Sequence, residues 1–295
     1  MSKVRFLLLV ALLPHGLLAQ EIASIKVTGN DAVMTVDSTR PMIAIANALA
    51  KKYGVLISAE EPTSISALDM EDMDRAFPNA PHKKNYPVPR RRQFEVHFQV
   101  GSNGQLGGDV YRVLQEAVRI ANEQMPFAYR LDVDEEFFTF VPTKTRDATG
   151  SIVDATPLLD RKVTIPAGKR SIRDSVELMT KSLSEQTGLH VGLTDNAMTG
   201  IPWGTPIGPF EAKDEPARKV LERLIRLDQQ NDDHDAGCHY WTMSCDNTWC
   251  LIFLEKPLDS QCQKPGWRTR ADSAGWEVDD GSGQWRAMEK AVEKR

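Results

Sequence analysis

The sequence predicts an α/β (α+β) protein of two tandem β-α-β-β-α-β-β modules, with small mixed sheets packed on helices. Three observations carry this. Strand-like stretches alternate with amphipathic helical stretches in that order along the first half. The same order returns in the second half. The hydrophobic (41%) and charged (26%) contents sit at the globular average, and 295 residues suffice for two domains of ordinary size.

Residues 1–19 stand apart from this plan. Lys3 and Arg5 precede an apolar run, Phe6–Leu13, which Pro14 and Gly16 break before the small residue Ala19. A basic start, a short apolar core and a small-residue exit describe a cleaved secretory signal, cut near Ala19. The run is too short for a membrane span. The expected compartment is therefore periplasmic or extracellular, with no integral membrane segment once the leader is gone. The formal charge of −5 becomes about −7 without Lys3 and Arg5, which argues against a nucleic-acid partner.

The first module is read over residues 20–142. Ala32–Val36 alternates as a strand, and Pro41 opens a helix with Met42, Ile45, Ala46, Leu49 and Tyr53 on one face. Gly54 ends that helix, because the left-handed cap is cheap for glycine. Val55–Ser58 is a strand, and Phe94–Val100 alternates as another. Asp109 caps a helix with Val110, Val113, Leu114, Ala117, Val118 and Ala121 inward. Tyr129–Val133 and Phe137–Val141 close the unit as a hairpin, its acidic turn at 134–136 read as solvated.

The second module, residues 161–257, begins with strand Lys162–Ile165. A helix follows with Ile172, Val176, Met179 and Leu183 on one face, ended by Gly188. Leu189–Leu193 and Gly208–Ala212 are strands, and the helix after Asp214 turns Ala217, Val220, Leu221, Leu224 and Ile225 inward. His239–Cys245 and Trp249–Leu254 form a hairpin about the turn residues Asp246, Asn247 and Thr248. The four cysteines, Cys238, Cys245, Cys250 and Cys262, fall in this segment, and in an oxidising compartment they read as a disulfide framework. The hairpin favours nested bridges, 245–250 inside 238–262.

Single residues match between the halves: 113–120 with 220–227, 53–55 with 187–189, and Phe94-Glu95 with Phe210-Glu211. The second half, through 163–167, 185–191, 214–225 and its closing hairpin, resembles the STN domain, the short N-terminal module of secretins and TonB-dependent receptors. Residues 31–142 resemble it more loosely. The resemblance implies a periplasmic α/β module serving protein–protein contact and signalling, with no catalytic residues. The pore or barrel that usually follows such a module is not part of this chain, and insertions at 60–92 and 195–207 depart from the pattern.

Outside the modules, the Pro-rich insertion 60–92 carries an acidic patch (Asp69, Glu71, Asp72, Asp74) and a basic one (Arg90, Arg91, Arg92). It reads as a loose solvated loop, or else as an arm whose arginines engage an acidic partner. Residues 143–160 read as a linker. The tail, 258–295, repeats tryptophan at a spacing of nine: Trp267, Trp276 and Trp285. It is expected to strap over the second module, with stacking on sugar rings or a partner as the alternative; 284–295 reads as a short helix or frayed end.

No nucleophile elbow, zinc-protease pair, phosphate loop or haem-attachment motif occurs. Residues 101–108 are glycine-rich but off the dinucleotide spacing. The densest metal-capable stretch, from Asp232 to His239, fits no closed zinc site. His97 and His190 read as structural. No metal, cofactor or catalytic residue is expected. The expected function is an exported envelope module that binds an envelope protein partner. The alternatives are a cell-wall or polysaccharide binder using the tail tryptophans, and a periplasmic hydrolase using acidic residues in the cleft between the halves.

Overall fold

The computed structural model describes residues 22–77, 87–106, 110–134, 137–194, 206–231 and 239–255, with strand backbone at 267–272, 275–280 and 285–287. The leader, Asp109, Cys238, Cys262 and the stretch 232–238 lie outside the described residues.

The first half runs β1 (Ile22–Thr28), β2 (Asp31–Ser38), α1 (Pro41–Tyr53) and β3 (Ile57–Glu60). The insertion follows, with a 3-10 turn (Ala67–Asp69), β4 (Met70–Asp72), α2 (Met73–Ala76) and β5 (Pro87–Pro89). Then come β6 (Arg92–Gln99), α3 (Val110–Gln124), β7 (Ala128–Asp134), β8 (Phe137–Arg146), β9 (Ile152–Asp154) and a 3-10 turn (Leu158–Asp160). The second half runs β10 (Lys162–Ser171), α4 (Ile172–Thr187), β11 (His190–Thr194), β12 (Pro206–Pro216), α5 (Ala217–Asn231), β13 (Tyr240–Cys245) and β14 (Trp249–Glu255). The tail holds β15 (Trp267–Asp272), β16 (Gly275–Asp280) and β17 (Trp285–Ala287).

Local chemistry explains the boundaries. Pro41 sits in the first turn of α1, where its missing N–H costs nothing, and Gly54 closes the helix at φ 67° with its N–H on the Ala50 carbonyl. The start of α4 is a capping box: the Ser171 hydroxyl accepts from the Asp174 N–H, and the Asp174 carboxylate accepts from the Ser171 N–H. β2 buries Ala32, Met34, Val36 and Ser38 in strict alternation, and β6 answers with Phe94, Val96 and Phe98.

The pairing scheme is the same in both halves. In the first, β2 pairs β6 antiparallel, β3 pairs β8 parallel and β7 pairs β8 antiparallel. In the second, β10 pairs β12 antiparallel, β11 pairs β14 parallel and β13 pairs β14 antiparallel. β1 adds to the outer sheet of the first half only.

What periodicity does not reveal is that the two inner sheets are one. β13 pairs parallel with β3, placing Thr242 opposite Ala59 and Met243 opposite Glu60. The resulting sheet has the order β11-β14-β13-β3-β8-β7, with β9 also paired to β8. Side chains alternate across it, so the two cores lie on opposite faces. Ile57, Ala59, Phe138 and Phe140 belong to the core under α1 and α3; Phe137, Trp241, Met243 and Ile252 belong to the one under α4 and α5.

Three sequence expectations change. Residues 143–160 are not a bare linker: β8 continues to Arg146, β9 pairs back on it, and Leu158 and Leu159 are buried. The insertion is ordered at both ends, where β4 and β5 form a small antiparallel pair. The tail forms a three-stranded antiparallel meander, with β17 where a helix or frayed end is expected. Among the described residues no helix is long and apolar enough to cross a membrane.

Candidate functional site

The joint between the halves concentrates the buried polar groups. Glu60, at the end of β3, is fully buried; its Oε1 accepts from the Leu159 N–H at 3.1 Å and its Oε2 lies 2.7 Å from Arg218 Nη2. The same Arg218 nitrogen donates to Asp160 Oδ1 at 2.7 Å, and the guanidinium faces the Trp241 ring, 6.0 Å from its centroid. Burial raises the Glu60 pKa, and the Arg218 charge opposes that rise. Glu61 pairs with Arg40 and accepts from the Cys245 N–H at 3.1 Å. The Trp241 backbone N–H donates to Ser58 Oγ, and Tyr240 donates from its hydroxyl to Asn47 Oδ1. Asn247, at the β13–β14 turn, exchanges two hydrogen bonds with the backbone of Ile65. Such a dense set of bonds makes the joint a built interface between the halves.

A pocket of about 330 Å³ opens beside this joint, lined by Asp132 and Asp134 of β7, Thr139 of β8, Asp160, and Arg218, Lys219 and Glu222 of α5, with Tyr111, Leu131, Val133 and Pro216 as its less polar wall. Lys219 and Arg226 both approach Asp134, whose pKa is lowered: burial works against ionisation, and the Lys219 hydrogen bond and charge outweigh it. Glu222 is 2% exposed. Burial pushes its carboxyl up to about 8, with the Asp134 carboxylate adding to the rise and Lys219 and Arg218 opposing it. An acid kept protonated beside an ionised one is the pairing from which proton-transfer sites are built. Asp134, expected at a solvated turn, is instead drawn into this cluster.

The second feature is the outer edge of β11. The His190 N–H bonds the Thr248 carbonyl on the β14 side, so alternation turns the backbones of Val191 and Leu193 outward. Ser184 of α4 caps Val191, accepting from its N–H at 2.9 Å. Beside this edge runs a groove of about 350 Å³ lined by Arg173, Glu177, Thr180, Lys181 and Ser184 of α4 and by residues 190–193 of β11. The opposite edge, β7, is blunted in the same manner: Asn122 of α3 accepts from the Tyr129 N–H and donates to its carbonyl.

The residues singled out from the sequence are scattered. Cys245 and Cys250 stand opposite each other across β13–β14 and form a disulfide, with Cα atoms 4.1 Å apart. Cys238 and Cys262 lie outside the described residues. Arg90, Arg91 and Arg92 do not present an open basic arm. Arg91 holds Asp37 and the Ala76 carbonyl, Arg92 reaches Asp69 at 3.1 Å, and Arg90 donates to the Leu68 carbonyl. They join the two charged patches of the insertion to each other and to β2, because a carboxylate as buried as Asp69 (4% exposed) needs a cation. Trp267, Trp276 and Trp285 fall on β15, β16 and β17, opposite Asp280, Ala271 and Asp279 respectively. Among the described residues no group of three or more His, Cys, Asp or Glu is placed to hold a metal ion. His239 is buried at the mouth of β13, and His234 lies outside the described residues.

Glu60, Asp160, Arg218 and Glu222 were not legible as site residues. One signal was available. Arg218, Glu222 and Arg226 recur at i, i+4 and i+8 beside the apolar face of α5, a charged stripe that would border its buried side.

Comparison with known proteins finds no match to this chain among family models, curated proteins or solved structures.

Proposed function

We propose that the protein is an exported protein-interaction module, akin to a tandem pair of STN-type units, which takes an extended segment of an envelope partner onto the outer edge of β11. The observation that carries this reading is the β13–β3 joint. There the inner-sheet edge of one half already accepts a strand in parallel, at Ala59 and Glu60. β11 is the counterpart of β3 in the second half, since both pair in parallel with the last strand of their own hairpin. Its outer edge carries no strand among the described residues. The groove against α4 beside it offers room for alternate side chains of an added strand, while main-chain bonds supply affinity. The like pairing schemes support an internal duplication, and the leader pattern with the 245–250 disulfide supports export.

The test is a photo-crosslinker at His190 in the cell of origin, followed by mass spectrometry of the trapped species. One dominant protein partner is expected. Leu193→Pro, which removes an outward N–H and no bond to β14, should abolish its capture while far-UV circular dichroism stays that of the parent. Undiminished capture by the folded Leu193→Pro variant, or trapping from position 130 on β7 in place of position 190, sinks the proposal.

A further inference from the structure

The joint between the halves is one step of an operation that can be repeated. Along the shared sheet the first half contributes β7, β8 and β3, and the second contributes their counterparts β13, β14 and β11 in the same order. Strand direction reverses from one set to the other: β13 runs parallel to β3, whereas its counterpart β7 runs antiparallel to β8 and hence to β3. The core changes face as well. Kept order, reversed direction and changed face together describe a two-fold screw along the sheet, and a screw does not close. Applied once, it carries the first half onto the second. Applied again, it sets β7 of a second chain parallel to the outer edge of β11, as β13 sits on β3.

The two ends of the sheet carry the residues that this second step would cover. The matches 53–55 with 187–189 and 113–120 with 220–227, and the registers that set Ile57 opposite Phe138 and Val191 opposite Cys250, fix which positions correspond. In the joint, Ile225 of α5 and Phe137 and Thr139 of β8 are buried. Their counterparts, Val118 of α3 and Trp249 and Leu251 of β14, are only half-buried, and Trp249 and Leu251 belong to neither core. The charges correspond too. Arg226 lies over the Phe137 ring, 5.1 Å from its centroid, and approaches Asp134. The counterparts are Arg119, Trp249 and Asp246, so a cation again faces an aromatic ring and a carboxylate. Arg223, whose counterpart Glu116 differs in sign, pairs with Glu215 of its own half and not across the joint. The buried Arg218–Glu60 pair is replaced by Tyr111 and Thr194, so the copied contact strands no buried charge. We propose that the partner taken up at the β11 edge is a second copy of this chain, whose β7 and α3 repeat the joint and extend it head to tail. This rests on the reading of β11 as a docking edge and names its occupant. A heterologous contact of this kind yields open chains in place of closed pairs.

The test is sedimentation velocity on the purified protein across a concentration series. A ladder of species at whole multiples of the chain mass is expected, growing with concentration. Leu193→Pro blocks the β11 end, and Leu251→Glu, at a half-buried position outside both cores, blocks the same end without altering the backbone. Arg119→Glu, at an exposed position, blocks the other end by setting like charge against Asp246. Each should lower the association constant by a factor of about ten or more. Where the parent associates, each folded variant should then run as one chain. An equimolar mixture of Leu251→Glu with Arg119→Glu should give a two-chain species and nothing larger, because one intact end of each kind remains. A parent that stays a single chain at every concentration overturns the proposal; if the crosslinker at His190 then traps a different protein, the β11 reading stands with another occupant. Association unchanged in folded Leu251→Glu or Arg119→Glu, or a mixture without the two-chain species, also overturns it. Association lost in Arg119→Glu but undiminished in folded Leu193→Pro removes the β11 reading as well.

Discussion

Glu222→Gln is expected to stabilise the protein at neutral pH and to flatten its pH dependence. The side chain is 2% exposed, and burial, aided by Asp134, moves its pKa from the ordinary 4.5 up to about 8. The folded state therefore binds the Glu222 proton more tightly than the unfolded chain does. Stability from this residue is fully present below about pH 4.5 and is lost as the pH rises towards about 8. At about pH 7 the gap of about 2.5 pH units, at about 1.4 kcal/mol each, corresponds to a loss of up to about 3 kcal/mol. Glutamine has nearly the same volume and no charge to desolvate. The variant should thus exceed the parent by up to about 3 kcal/mol near pH 7 and match it near pH 4.5. Because Glu222 and Asp134 titrate as a pair, Asp134→Asn should remove part of the same slope. Urea unfolding at fixed ionic strength, repeated across about pH 4.5 to 8, reads the difference directly. Parallel stability curves for parent and Glu222→Gln across that range would refute the reasoning.

Three further outcomes follow from buried or capped groups. Arg218→Ala leaves the buried Glu60 carboxyl without its partner and should cost about 3–5 kcal/mol in urea unfolding, whereas a joint Arg218→Met, Glu60→Gln replacement should recover much of that. Removing the Cys245–Cys250 bridge as a double alanine variant should cost about 2 kcal/mol, the chain-entropy value for so short a loop, read as a lower Tm. Ser171→Ala, which deletes one arm of the α4 capping box, should cost about 1 kcal/mol, with Ser171→Asp restoring most of it.

Much of the fold was legible in local pattern. Helices α1, α3, α4 and α5 announced themselves through apolar residues three and four apart, and Gly54 and Gly188 marked two of their ends. The β13–β14 hairpin, with Asp246 Oδ1 accepting from the Thr248 and Trp249 N–H groups at its tip, was readable from turn chemistry. β1 went unread because Ala23, Ser24 and Lys26 interrupt its pattern, and an edge strand with one open face needs little apolar signal. The order within the insertion also escaped notice. It depends on Arg91 and Arg92 meeting Asp37 and Asp69, pairs separated by 54 and 23 residues that no local window contains.

By itself the sequence determined what depends on near neighbours: which segments are helix or strand, where they are capped, that the halves share one order, and that Cys245 and Cys250 can meet across a tight hairpin. The tertiary structure alone decided that β13 docks on β3, that the two cores lie on opposite faces of one sheet, and that Glu60, Asp160, Arg218 and Glu222 converge. Strand edges carry the same N–H and C=O groups whatever their side chains, so the choice of edge partner leaves no periodic trace. It is settled only when the whole chain finds the packing that buries Trp241 and satisfies Glu60 together.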